Sequence, residues 1–236
     1  MDKDIILDLI YPRRCPVCGE IRPYRQGKVC GDCMSKLKKV ETPKCMCCGK
    51  TIESEEEEYC QDCVAVPKHF EQGFPVFSYR EPLKSSIYAF KYKNQREHAE
   101  FFADCMFHCY KKEFLRLDLD GIVPVPVHPN KKRKRGYNQA ELLAKQLGKR
   151  LAIDVFPDYL IRVADTNPQK ELNDKERVNN LSHAFQLGKS SQRLKKILLI
   201  DDIYTTGATI EACTKVLLSG KAEKVYYTSI AIGKGY

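Results

Sequence analysis

The feature that most constrains the fold is a ladder of four CxxC pairs in the N-terminal quarter of the chain. The pairs are Cys15/Cys18, Cys30/Cys33, Cys45/Cys48 and Cys60/Cys63. Eleven residues separate each pair from the next, and the half CPVCG…CGDC is echoed by CMCCG…CQDC. The segment is therefore an internal repeat of 30 residues. Each half predicts one cysteine ribbon.

Two CxxC turns can present four thiolates to one tetrahedral zinc ion and leave no open catalytic position. Gly19 and Gly49 follow the second cysteine of their turns, where glycine allows a positive φ under the metal. The repeat favours pairing within each half, although spacing alone also permits nested or interleaved pairing, and Cys47 could compete with Cys48. We predict two structural zinc ions, whose folding energy this small module needs. The predicted ligands are Cys15, Cys18, Cys30, Cys33, Cys45, Cys48, Cys60 and Cys63.

Targeting signals and composition indicate the cellular location of the protein and the type of partner it binds. The first eleven residues lack the basic start and uninterrupted apolar stretch of a signal peptide, and no later stretch has the roughly 18 apolar residues of a membrane span. We therefore expect a cytoplasmic protein that is not membrane-embedded, whose twelve cysteines are better explained by metal than by disulfides. The net charge of +9 favours a polyanionic partner, or serves solubility alone.

Composition changes after Pro67, where cysteine becomes sparse and strand and helix patterns begin to alternate. We predict a zinc-ribbon module over 1–68 and an α/β domain over 69–236. The patterns predict strands at 74–79, 121–127, 195–200 and 225–232, and helices at 95–114, 139–151 and 210–218. This alternation indicates a parallel sheet, which binds ligands beyond the carboxyl ends of its strands.

One such strand runs into Asp201 and Asp202 and then into the turn and helix start IYTTGAT. The N–H groups and dipole of a helix start attract phosphate, and Gly207 allows close backbone approach. Threonine hydroxyls can donate to phosphate oxygens, while the two carboxylates can accept from ribose hydroxyls or from water around magnesium. An ordinary strand, loop and helix is the alternative.

This run resembles the phosphoribosyl diphosphate signature of type I phosphoribosyltransferases. The resemblance implies a phosphoribosyltransferase-like fold, magnesium, and Asp201 and Asp202 as catalytic residues that contact the ribose 2′ and 3′ hydroxyls. Purine-salvage members carry an aspartate as general base at the position of Thr205, and threonine cannot take a proton at neutral pH, so purine salvage is disfavoured. The residues implied to hold the 5′-phosphate are Thr205, Thr206, Gly207, Ala208 and Thr209.

Five consecutive basic residues, Lys131 to Arg135, follow the second predicted strand and are expected to form a loop that faces the phosphate site. The resemblance implies that Lys131, Arg133 and Arg135 bind the diphosphate of phosphoribosyl diphosphate. The run could equally follow single-stranded DNA, with Tyr137 as a stacking platform, or be a solvated surface. Further along, residues 164–185 are predicted to form a mobile lid.

The order of these motifs resembles the ComF (GntX-like) family over nearly the whole chain. The motifs are CPVCG, CGDC, the CxxC pairs of the second half of the repeat, RGYNQ at 135–139, the Q-x-x-L and R-x-x-N segments, and DDIYTTGAT. The resemblance implies a double zinc ribbon joined to a phosphoribosyltransferase domain. It also implies an accessory role in the cytosol, handling incoming single-stranded DNA during natural transformation with helicase or channel partners.

Two functional hypotheses follow. In the first, the protein binds phosphoribosyl groups and single-stranded DNA and serves DNA uptake. In the second, it is an active magnesium-dependent phosphoribosyltransferase that uses phosphoribosyl diphosphate and an unknown acceptor. The sequence identifies no acceptor, because the position that contacts the base in familiar members is Thr205.

Overall fold

The computed structural model describes residues 12–22, 27–164, 184–189 and 192–233. Most of the predicted lid lies outside these residues. The helices are α1 (Gly31–Lys36), α2 (Gln61–Ala65), α3 (Leu83–Tyr92), α4 (His98–Leu117), α5 (Pro129–Arg135), α6 (Gln139–Leu151) and α7 (Ala208–Ser219). The strands are β1 (Gly73–Ser78), β2 (Gly121–Pro124), β3 (Leu160–Arg162), β4 (Phe185–Leu187), β5 (Lys196–Tyr204) and β6 (Lys224–Ile232).

Four strands form a parallel sheet in the order β1-β6-β5-β2, and β3 pairs with β4 in a separate antiparallel ribbon. The α/β class with a parallel sheet is therefore confirmed. Because all four strands run the same way, the segments that follow them meet at one edge of the sheet. That edge collects the Thr205 turn, the start of α5 and the residues after β1 and β6.

The core lies on both faces of this sheet. One face packs against α4 and α6 through residues such as Phe102, Leu143 and Leu147. The opposite face packs against α7 and, unexpectedly, against the thiols of the second cysteine ribbon, including Cys48 and Cys63. The second ribbon is thus part of the hydrophobic core of the sheet.

The structure extends the β5 strand beyond its predicted end. Pairing with β6 continues through Asp201↔Ser229 to Tyr204↔Ile232, so both acidic residues lie inside the strand. The prediction that β5 ends at residue 200 is wrong. Two adjacent carboxylates are unfavourable in a strand pattern, but here pairing with β6 carries the strand on to Tyr204 after pairing with β2 has ended at Ile200. Helix α6 has its predicted bounds, and the Asn138 side chain caps it by accepting from Ala140 N–H at 3.1 Å.

The basic run is a helix, so the prediction of a loop is wrong. The His128 side chain accepts from the backbone N–H of Asn130 at the helix start, and Pro129 occupies the first turn, where its missing N–H costs nothing. Gly136 ends α5 in the left-handed conformation, with φ of 80°. These flanking residues set the start and the end of a short helix that carries the basic residues.

The ribbons dock onto the free edge of β1 by backbone hydrogen bonds. Val40 N–H donates to Val76 at 3.0 Å, and Ser78 N–H donates to Lys38 at 2.8 Å, so residues 38–40 run antiparallel to β1. A third bond joins Gly73 N–H to the Cys47 carbonyl at 2.7 Å. The division into 1–68 and 69–236 stays a prediction, while these bonds show how closely the two parts associate.

Within the part of the chain that the structure describes, none of the helices combines the length and apolar character that crossing a membrane requires.

Candidate functional site

The structure brings the eight predicted metal ligands together in two groups, one from each half of the repeat. In each group the four sulfur atoms lie within 4.8 Å of one another. The Cys18 and Cys30 sulfurs are 3.7 Å apart, and the Cys48 and Cys60 sulfurs are 3.6 Å apart. Zn–S bonds of about 2.3 Å place tetrahedral sulfurs about 3.8 Å apart, so both groups fit structural zinc.

The same local geometry builds both groups. In each first turn a glycine with positive φ, Gly19 at 79° or Gly49 at 72°, donates to the carbonyl of the leading cysteine at 2.9 Å. In each second turn a short helix begins directly after the first cysteine, and its third residue supplies the last thiol, Cys33 or Cys63. The thiol of Cys47 is not one of the four in the second group, but it lies within hydrogen-bond reach of Cys63.

The two zinc sites differ in burial. In the first group Cys18 is exposed and Cys30 is half-buried, whereas all four thiols of the second group are buried. Below the second group, the Tyr227 hydroxyl donates to the Cys48 carbonyl at 2.8 Å. The Tyr227 ring stacks on Tyr204, with centroids 4.8 Å apart and planes 10° apart. Tyr204 is the last residue of β5, so the second ribbon supports the turn that follows.

That turn is the predicted phosphate loop. Thr205 and Thr206 are exposed, Ala208 and Thr209 are half-buried, and α7 begins directly after Gly207. Gly207 has φ of 79°, and a β-carbon there would come within 2.2 Å of the Tyr204 hydroxyl. Both the positive φ and the lack of space for a β-carbon require glycine at this position. The loop thus presents threonine hydroxyls and the start of a helix of 12 residues, the arrangement that binds phosphate.

The acidic pair lies at the end of β5 next to a lysine from α3. Lys91 Nζ is 2.9 Å from an Asp202 carboxylate oxygen, and both side chains are largely buried. Burial lowers the pKa of Lys91, but the attraction of Asp202 and Asp201 outweighs it and leaves that pKa above its ordinary value. Burial and the charge of Asp202 raise the pKa of Asp201 from 3.8 to about 7, against the opposing effect of Lys91. Near neutral pH the pair therefore carries less negative charge than two ionised carboxylates.

The structure assigns different positions to the basic residues predicted to bind diphosphate. Arg133 is exposed and Lys131 is half-buried, so both reach solvent. Arg135 is held by neighbours, because it donates to the Gln139 side chain at 3.1 Å and to the Tyr92 hydroxyl at 3.0 Å. Arg135 is thus a structural residue as well as a charge.

The prediction of Tyr137 as a stacking platform is wrong. Its side chain is only 5% exposed, and its hydroxyl donates to the Phe90 carbonyl. The guanidinium of Arg96 covers the ring at 4.8 Å from its centroid. Tyrosine beside a basic run is a common surface pattern, but here helix α5 ends at Gly136 and turns the next residue into the core.

Comparisons with known proteins agree with this arrangement. Residues 6–64 match the family model for a double zinc ribbon domain. Competence protein F of Haemophilus influenzae is 30% identical over 225 residues, covering 92% of this chain and 96% of that protein. The chain belongs to the ComF family. Competence protein ComFC of Bacillus subtilis is 31% identical over 208 residues, covering 84% of this chain and 81% of that protein.

Other relatives of this ComF-family chain include DNA utilization protein YhgH of Escherichia coli K12. It is 26% identical over 222 residues, covering 92% of this chain and 96% of that protein. Among solved structures, a hypoxanthine phosphoribosyltransferase from Staphylococcus aureus aligns with a TM-score of 0.33 and 17% identity, over 56% of this chain and 62% of that one. The predicted membership of the ComF family and the N-terminal double zinc ribbon are confirmed.

Three side chains near the predicted site were not singled out from the sequence of this ComF-family protein, and all belong to α3. Besides Lys91, the helix carries Tyr88 and Tyr92, whose rings are 57% and 56% exposed with centroids 4.9 Å apart. The signal was present, since Leu83, Ile87 and Phe90 recur with helical spacing and form the buried face. Two tyrosines four residues apart on the opposite face then stand out as a solvent-facing pair.

The burial difference between the zinc sites generates a prediction about metal loss. We expect two zinc ions per chain, released by a chromogenic chelator in two phases, with the exposed first site emptying faster. Cys18→Ser should remove the fast phase and leave the slow one. Cys109→Ser is the matched control, because Cys109 is a half-buried thiol on α4 that lies outside both groups, and it should keep both phases. A single phase with one ion per chain would contradict the assignment.

The raised pKa of Asp201 generates a prediction about stability and pH. Between its unfolded pKa near 3.9 and its folded value, the folded state binds the extra proton, so stability falls as pH rises to about 7. We expect Asp201→Asn to be about 1–3 kcal/mol more stable than the wild type at pH 8 and to lose most of this advantage at pH 4. Urea unfolding at fixed zinc concentration measures both values.

Asp202→Asn is the matched control for this prediction. It removes the carboxylate that contacts Lys91, and breaking such a buried pair destabilises the folded state. It should therefore be less stable than Asp201→Asn at pH 8. Equal stabilisation by the two substitutions would show that the carboxylates are equivalent, against the geometry described.

Proposed function

We propose that this ComF-family protein binds phosphoribosyl groups and single-stranded DNA in the cytoplasm and serves DNA uptake during competence. The names of its relatives, competence protein F, competence protein ComFC and DNA utilization protein, support the general role. Helicase or channel proteins of DNA uptake are the proposed protein partners. The molecular part of the proposal depends on the carboxyl edge of the sheet.

The observation that carries DNA binding is the juxtaposition of α3 and α5. The Arg135 guanidinium lies over the exposed Tyr92 ring at 4.8 Å and donates to its hydroxyl, so the tyrosine pair of α3 adjoins the basic helix. Exposed aromatic rings stack nucleobases, and a neighbouring row of cations follows the phosphates. Tyr88 and Tyr92 thus take the role that the sequence suggested for Tyr137.

The same helix connects this surface to the acidic pair. Lys91 lies next to Tyr92 in the chain and reaches inward to Asp202, whereas the tyrosines face solvent. A ribose bound by Asp201 and Asp202 would therefore lie close to the stacking surface. This supports one continuous site for a base, its sugar and its phosphate.

The phosphoribosyl part of the proposal has Asp201 and Asp202 accepting from ribose hydroxyls and the Thr205–Thr209 loop holding the phosphate. Lys91 already neutralises Asp202, and the described residues place only the two cysteine groups within reach of a metal. Magnesium usually binds through one or two carboxylates together with substrate phosphates. We therefore propose that magnesium enters with phosphoribosyl diphosphate and is held jointly by that ligand and the acidic pair.

The phosphoribosyl proposal predicts a specific pattern in calorimetric titration with phosphoribosyl diphosphate and magnesium. The wild type should bind, and Asp201→Ala with Asp202→Ala should lose binding because the ribose hydroxyls lose their acceptors. Asp118→Ala with Asp158→Ala is the control, since both residues lie away from the loop and change charge equally. Binding that survives in the Asp201/Asp202 variant would refute the site, and diphosphate release with any acceptor would identify the protein as a transferase.

The DNA proposal predicts the salt dependence of binding to a labelled 20-nucleotide strand. Each phosphate contact contributes about −0.7 to the slope of log K against log salt for single strands. Replacing Lys131, Arg133 and Lys134 by alanine should therefore reduce the slope by roughly 2. The control replaces the exposed Lys112, Lys149 and Lys224, which are away from α5, and should change the slope little.

A second variant tests the stacking surface in the same assay. Tyr88→Ala should weaken DNA binding by about 1–3 kcal/mol, roughly 5-fold to 150-fold, without changing the salt slope. Tyr59→Ala is the control, because Tyr59 is a similarly exposed tyrosine on the second ribbon. Equal effects of the two substitutions would remove α3 from the DNA site.

A further inference from the structure

A large cavity lies between the second ribbon and the carboxyl edge of the sheet. Its volume is about 1050 Å³, and its walls come from both parts of the protein. Lys38 and Lys50 line it from the ribbon side, Arg80 and Lys84 from the segment after β1, and Thr205 and Thr206 from the phosphate loop. The cavity is therefore continuous with the predicted phosphate site.

The cavity is strongly cationic. Five basic side chains line it and one acidic side chain, Glu41, opposes them. Lys38 contacts Glu41 at 2.9 Å, and Lys50 contacts Asp62, so these two are engaged within the ribbon. Arg80 and Lys84 are exposed and follow the end of β1. The excess of positive charge predicts a polyanionic occupant.

The position of the cavity relative to the acidic pair indicates what that occupant is. Asp201, Asp202 and Lys91 do not line it, whereas Thr205 and Thr206 do. The cavity thus begins where the phosphate would lie and extends away from the ribose. On the side of this cavity, phosphoribosyl diphosphate ends at its 5′-phosphate, so it would leave this space unfilled.

We propose, on the basis of the function proposed above, that the phosphate loop takes the last phosphodiester at the 3′ end of a DNA single strand and that the cavity takes the strand on its 5′ side. The sugar at the acidic pair is then that of the 3′-terminal nucleotide, because DNA has no 2′-hydroxyl and only a terminal 3′-hydroxyl is free to donate to Asp201 or Asp202. Beyond its 5′-phosphate lies the 3′ oxygen of the preceding nucleotide. The cavity volume of about 1050 Å³ is at the upper end of the usual range for ligand sites and accommodates that nucleotide. Arg80 and Lys84 contact its phosphate.

This assignment gives the second ribbon a direct part in the site. Residues 53–58 of the ribbon form an acidic stretch, and its charge argues against DNA binding by that surface. The cavity wall is instead formed by its basic residues and by Thr51, whose hydroxyl donates to the Glu41 carbonyl at 3.0 Å. The two faces of one ribbon thus differ in charge, and only the cationic one meets the phosphate loop.

The experiment compares Arg80→Gln with Lys84→Gln, combined in one variant, against the control Lys112→Gln with Lys224→Gln in the full zinc-loaded chain. Binding of the 20-nucleotide strand is measured across salt concentrations, and binding of phosphoribosyl diphosphate is measured by calorimetry. We expect the cavity variant to bind DNA at least tenfold more weakly than the control, with a salt slope reduced by roughly 1.4 for two lost contacts. Its affinity for phosphoribosyl diphosphate should stay within twofold of the wild type.

The other outcomes separate the inference from the proposed function. If the wild type binds DNA and the cavity variant matches the control, the strand does not enter the cavity while DNA binding itself stands. If both variants weaken equally, bulk charge is responsible and the inference fails. Loss of phosphoribosyl diphosphate binding in the cavity variant would assign the cavity to that ligand instead. A wild type that binds no single-stranded DNA would overturn the inference and the DNA proposal together.

Discussion

The structure depends on the contact between the second cysteine ribbon and the sheet. The Tyr227 hydroxyl donates to the carbonyl of Cys48, and the ring above it stacks on Tyr204 at the end of β5. Phe70 meets both rings edge-on, with centroids 6.3 Å and 5.1 Å away. Because Tyr204 in this position leaves no room for a β-carbon at Gly207, the second cysteine ribbon and the phosphate loop share one packed support.

A second constraint is the burial of charge at the same edge. Two adjacent carboxylates in a strand would repel each other, and here Lys91 offsets one while the other retains a proton up to near-neutral pH. Helix α3 carries both this lysine and two exposed tyrosines. The charge that offsets Asp202 and the exposed aromatic rings therefore belong to a single element.

The sequence predicted what depends on spacing and failed where the result depends on tertiary contacts. The two cysteine groups follow from short turns at a fixed spacing, so they could be predicted. The acidic pair, the threonines and Gly207 are contiguous, and phosphate binding by them stays a prediction. The partner of Asp202 could not be, because Lys91 lies 111 residues away in the chain and no local pattern connects them. Tyr137 was misjudged for a similar reason, since its burial depends on Phe90 and Arg96.

The internal repeat is symmetric in sequence and asymmetric in its surroundings. In the first copy two of the four thiols are exposed or half-buried, while in the second all four are enclosed by the core of the sheet. Duplicated units of this kind are not equally free to vary during evolution. Substitutions in the first copy are absorbed locally and leave room for new partners, whereas a change in the second is transmitted to the ligand loop. A genetic screen for ligand-binding defects would therefore recover mutations in the second copy, far from the loop in sequence.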